Sequence, residues 1–118
     1  MSEDAGRLRE AFGSRELDRL IDLMDPDVTW RGVHYPGEDV PVCHNREEVR
    51  EVMAKAIARG FDGRPLIVAE AGDSVVIDPR ATPLRQVDLH QVITFRGGRI
   101  VLMQDFPDRA SAVAAIET

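Results

Sequence analysis

Asp105 and His90 are the two side chains best placed to move a proton between them. They lie in strand-like runs, RQVDLHQVITF and RIVLMQDF, on either side of Gly97-Gly98. If the two glycines make a two-residue hairpin turn, Arg96 faces Arg99, and counting outward sets His90 across from Asp105. One face then carries Asp88, His90, Val92, Thr94, Val101, Met103 and Asp105. The other carries Leu89, Gln91, Ile93, Phe95, Ile100, Leu102, Gln104 and Phe106, and is the more apolar. A three-residue loop would instead bring Leu89 opposite Asp105, so the register stays open. In a dry pocket the imidazole–carboxylate pair is an acid–base device, because the carboxylate fixes the ring's tautomer and stabilises the imidazolium. The plainer reading from residues alone is a cross-strand ion pair at the sheet's rim, contributing roughly 0.2–1 kcal/mol.

Other groups fit around this pair. Trp30 reads as a pocket wall whose indole N–H still needs a partner. His34 shares the two-residue period of Trp30 and lies beside the Pro- and Gly-rich segment YPGEDVPV, where it could reach a pocket mouth or serve only as structure. Val92, Val101 and Met103 are the expected apolar lining. Cys43 would be a nucleophile only if a base lowered its pKa. The three histidines show no HxH or HxxxH spacing, so no metal site is expected, and no cofactor.

The elements that would position these groups follow from periodicity. Leu8, Ala11 and Phe12 form a short apolar stripe. After Gly13, Ser14 can cap a second helix that carries Leu17, Leu20, Ile21 and Met24 and stops at Asp25-Pro26. VTWRGVH is a candidate strand. Asn45, with Glu48 three residues on, resembles a capping box ahead of the stripe Val49, Val52, Met53, Ala56 and Ile57. LIVAEAG, SVVID and the two runs around Gly97-Gly98 then read as strands, and PDRASAVAAIE as a closing helix with Asp108 near its start. Helices followed by an antiparallel meander make an α+β pattern.

Composition bounds the function. At 118 residues, residues 1–118 make one domain with one core. A formal charge of −6 argues against a nucleic-acid binder, which needs a basic face. No apolar run reaches the roughly 18 residues that span a membrane. The start, MSEDAGRLRE, lacks the apolar core of a secretory signal, and Cys43 stands alone, so a cytoplasmic location is expected.

In order, the DPDVTW strand, NREEV helix, GDSVV strand, ITFRGGRI hairpin and QDF ending resemble the SnoaL-like branch of the nuclear transport factor 2-like superfamily, from about Leu8 to Ile116. The resemblance implies a cystatin-like α+β cone, with N-terminal helices packed in a curved antiparallel sheet. It also implies an internal pocket for a small hydrophobic molecule and a homodimer. Ile100 and Asp105 keep the spacing of the limonene-epoxide hydrolases, which sets Asp105 on their water-activating aspartate. Their accompanying tyrosine and asparagine fall on Trp30 and Gly32, and their arginine and second aspartate on Pro79 and Ala81, so that set is incomplete. The general base of the ketosteroid isomerases falls on Gly32, and their oxyanion tyrosine near Leu8 or Arg9. Against the SnoaL polyketide cyclases, Asp105 and His90 could take the roles of the pocket aspartate and histidine.

The expectation is therefore a cofactor-free pocket enzyme, with Asp105, His90 and His34 as catalytic candidates. Trp30, Val92, Val101 and Met103 would bind a hydrophobic metabolite during cyclisation, isomerisation, dehydration or water addition. The alternatives are a protein that holds an apolar ligand unchanged and a dimeric interaction module.

Overall fold

Helical periodicity in the first half and alternation in the second become the expected α+β architecture. The computed structural model of the chain describes residues 3–14, 16–32, 43–58, 65–78 and 89–117. In chain order these hold α1 (Glu3–Ser14), α2 (Leu17–Asp22), β1 (Met24–Arg31), α3 (Arg46–Ala58), β2 (Leu66–Ala71), β3 (Ser74–Asp78), β4 (His90–Arg96), β5 (Arg99–Phe106) and α4 (Arg109–Glu117). The strands form one sheet in the order β1-β5-β4-β3-β2. β1 runs parallel to β5, and the other neighbours are antiparallel.

Alternation gives this sheet two apolar faces. Val75, Ile77, Ile93, Phe95, Ile100 and Met103 pack with Ala5 and Leu8 of α1, Ile21 of α2 and Val49 of α3 to make the main core. On the other face Val76, Val92 and Phe106 pack with Ala112, Val113 and Ile116 of α4. α4 thus covers the side of the sheet that the first three helices leave.

Two boundaries differ from the periodic reading. Helix α2 ends at Asp22, and Met24 is buried as the first residue of β1 rather than on a helical stripe. The ladder picks up at once, with the Ile100 N–H donating to the Leu23 carbonyl at 2.8 Å. β1 then loses register with β5 between Met24 and Thr29, and Pro26, which has no N–H to offer, sits in that irregular stretch. Ser14 closes α1 instead of capping α2: its hydroxyl donates to the Ala11 carbonyl and accepts the Glu16 N–H. At the far end of α3, Ile57 is exposed although it continues the apolar stripe.

Helix α3 begins as its sequence requires. Asn45 Oδ1 accepts the Glu48 N–H at 2.9 Å as an N-cap does, while Glu48 Oε1 accepts the N–H of His44 at 2.9 Å, so the box closes one residue before the cap. Asp108 does the same for α4, with Oδ1 accepting the Ser111 N–H at 2.7 Å. That backbone N–H, the Ser111 hydroxyl and the charge of His90 together hold the Asp108 carboxyl below its ordinary range, outweighing the effect of burial.

Two stability predictions follow from these caps. Asn45→Ala should lower unfolding free energy by about 0.5–2 kcal/mol, measured as a reduced urea midpoint at constant slope. Asp108 binds its proton less readily folded than unfolded. Its capping contribution is therefore complete above the unfolded carboxyl's pKa and is lost as pH falls through the lower folded value. Asp108→Asn keeps a capping oxygen but cannot titrate, so its melting temperature should fall less than wild type's between roughly pH 6 and roughly pH 3. Equal losses in the two proteins would show that this carboxyl does not carry the acid sensitivity.

Candidate functional site

The hairpin turn forms as the glycines require. Gly97 and Gly98 adopt φ of 59° and 80°, a backbone region that favours glycine and suits a two-residue turn between twisted strands. Arg96 faces Arg99 and Phe95 faces Ile100, but Thr94 then faces Leu102. Val101 is left unpaired as a β-bulge, and every later residue of β5 shifts by one against β4.

The shift corrects the expected pairing. Asp105 stands opposite Gln91, and His90 stands opposite Phe106. Since one extra residue also reverses alternation, Met103 and Asp105 join Gln91, Ile93 and Phe95 on the face toward α1–α3. His90 and Val92 belong to the opposite face. Val92 is buried there against Val76 and Ala112, so it does not line the face that carries Asp105. His90, at 4% exposure, lies close enough to the start of α4 for its charge to act on Asp108.

Trp30 reaches the same carboxylate from the other side. In the parallel pairing of β1 with β5, Trp30 is the partner of Met103, two residues from Asp105 along the strand. Its indole Nε1–H donates to Asp105 Oδ1 at 3.2 Å, and Gln91 Nε2 donates to the same oxygen at 2.8 Å. Three adjacent strands therefore each contribute one group: an indole from β1, a carboxylate from β5 and a carboxamide from β4. Gln91 is buried, Trp30 and Asp105 are half-buried, and Met103 lies fully inside the main core beside them. The indole partner anticipated from sequence is Asp105 itself. Sequence alone does not mark Gln91 as a site residue, because an unbroken ladder sets it on the opposite face and no motif announces the bulge that moves Asp105 to its side.

Cys43 pins β1 from its outer side. The Trp30 N–H donates to the Cys43 carbonyl at 2.9 Å, and the Cys43 N–H to the Trp30 carbonyl at 3.0 Å. Its side chain is packed in the main core, and burial first, then the Glu48 carboxylate, pushes the thiol's pKa up. Both effects disfavour the thiolate that a nucleophile needs. His44 is exposed, and Val101 is half-buried at the bulge. His34 lies outside the described residues, as do Pro79 and Ala81.

The arrangement presents an acceptor oxygen anchored by two neutral N–H donors, among apolar side chains. A carboxylate set this way can take a proton from a bound molecule or a water and return it. Among the described residues, no helix is long and apolar enough to cross a membrane.

Comparisons with known proteins agree with this architecture. An NTF2-like protein of unknown function from Burkholderia pseudomallei has a TM-score of 0.65 at 22% identity, with both chains covered completely. A polyketide cyclase-like protein from Sinorhizobium meliloti gives 0.65 at 16% identity, over 90% of this chain and 95% of that one. A protein from Catenulispora acidiphila with a ketosteroid isomerase-like fold, solved with trimethylamine, gives 0.64 at 20% identity over 99% and 94%. At such identities these structures speak for the fold. A search of curated proteins finds no significant match. The model of the SnoaL-like domain matches residues 5–103, and the chain accordingly belongs to the SnoaL-like domain family, with the NTF2-like, cystatin-type fold.

Proposed function

We propose that the protein is a cofactor-independent acid–base enzyme acting on a small hydrophobic molecule, with Asp105 as the proton-transferring group. The observation that carries this reading is the Asp105 carboxylate, half-buried on the helix-facing side of the sheet and held at Oδ1 by Trp30 and Gln91. Carboxylates are rarely placed on such a face without a task, because desolvation opposes the charge. The chemistry open to a single anchored carboxylate is proton abstraction and return during ring closure or isomerisation, or activation of a water for addition. Family membership and the cyclase- and isomerase-like neighbours support the class without selecting within it.

A second reading has its own observation. The buried Gln91 amide and the Trp30 indole both need an acceptor, and Asp105 supplies one. On this reading Asp105 is structural, and the protein holds an apolar ligand unchanged.

The homodimer belongs to the same proposal. Because α4 already covers Val76, Val92 and Phe106, a second copy would have to dock elsewhere unless α4 moved. Light scattering that returns the mass of a single chain at micromolar concentration would exclude the dimer.

The decisive variant is Asp105→Asn, assayed with a ligand identified by mass spectrometry of the purified protein. The enzyme reading expects turnover to drop by about 10²–10⁴-fold while ligand binding and melting temperature stay near wild type. Undiminished turnover would remove Asp105 from the chemistry. A lowered melting temperature with no turnover in either protein would favour the structural role.

A further inference from the structure

The geometry points to Gln91 as the positioning residue for Asp105: its buried carboxamide fixes the carboxylate's Oδ1 and, with Trp30, favours the ionised form. This inference rests on the acid–base reading of Asp105. It gives Gln91 the place that the sequence alone had offered to His90.

Several observations converge on it. Gln91 is 7% exposed and faces Asp105 directly across the β4–β5 ladder. Its neighbours along that face, Ile93 and Phe95, are core residues. A leucine or valine would bury more apolar area here, and an amide is costly at such a position unless it is hydrogen-bonded. The bond it makes to Asp105, at 2.8 Å, is shorter than the indole's 3.2 Å. Two donors arriving from opposite neighbouring strands at one oxygen prevent the carboxylate from turning. Unlike an imidazole, an amide does not titrate, so its hold on Asp105 is the same at every working pH.

Trp30 makes this measurable without a substrate. It is the sole tryptophan in the sequence, so one indole N–H resonance in a ¹⁵N-labelled sample reports the bond to Asp105. That resonance should shift with pH as Asp105 titrates, and Asp105→Asn should abolish the step. In Gln91→Leu, loss of a donor to the charged form should raise the midpoint by about one pH unit. In Gln91→Glu the two carboxyls share the site as a coupled pair, so the single step should split into two, the upper one above the wild-type midpoint. Glutamate nearly copies the shape of glutamine, so this variant decides the matter if the leucine variant fails to fold. A midpoint that stays or falls in folded Gln91→Leu, or a single unshifted step in folded Gln91→Glu, would overturn the inference, as would a step that survives Asp105→Asn. Since no substrate is present, these outcomes are separate from the turnover assay. Coupling with undiminished Asp105→Asn turnover would sink the enzyme reading, whereas lost turnover without coupling would sink only the role of Gln91.

Discussion

The extra residue at Val101 governs which side chains share a face of β5, and the candidate site depends on it. Strands alternate strictly, so one unpaired residue reverses the orientation of all that follow. Ile100, before the bulge, is in the main core; Met103, after it, is in that core too, although the two are three residues apart. Without the bulge, Met103 and Asp105 would point toward α4, where Val92 and Phe106 now pack. The carboxylate would then have to be buried beneath a helix whose contacting residues are Ala112, Val113 and Ile116. The local loss of a ladder pair is the cost of bringing both halves of β5 to one side.

Two neutral donors meet at one oxygen of this carboxylate. An indole and a carboxamide satisfy Asp105 Oδ1 and orient it, and their own need for an acceptor is met in return. Reciprocity of this kind locks three neighbouring strands to one atom. It also means that the proposed proton-transfer role of Asp105 and a structural one both draw on these hydrogen bonds, which is why turnover and not stability alone must separate them.

The elements and most of the core were legible because they rest on periodicity and capping. The stripe from Val49 to Met53, the Asn45 cap on Glu48, the Gly97-Gly98 turn and the Asp108 start of α4 all have local chemical causes, and the structure holds them. Asp105 and Trp30 were legible as site candidates, and their mutual bond answers the open donor of the indole. The partner across the hairpin was not. A bulge needs no special residue, and Val101 is as good a strand residue as its neighbours, so local sequence cannot distinguish a continuous ladder from a broken one. The same limit explains Met24: its apolar character suits the last turn of a helix or the first residue of a strand, and tertiary packing chose the strand.

The bridge between Trp30 and Cys43 steadies the strand that carries the indole. Trp30 and Cys43 are clasped together by a reciprocal pair of backbone hydrogen bonds. Backbone atoms make this clasp, so it draws on neither the indole nor the thiol. Paired with β5 along one edge and with Cys43 along the other, the backbone of Trp30 presents its indole to Asp105 from a position fixed on both sides.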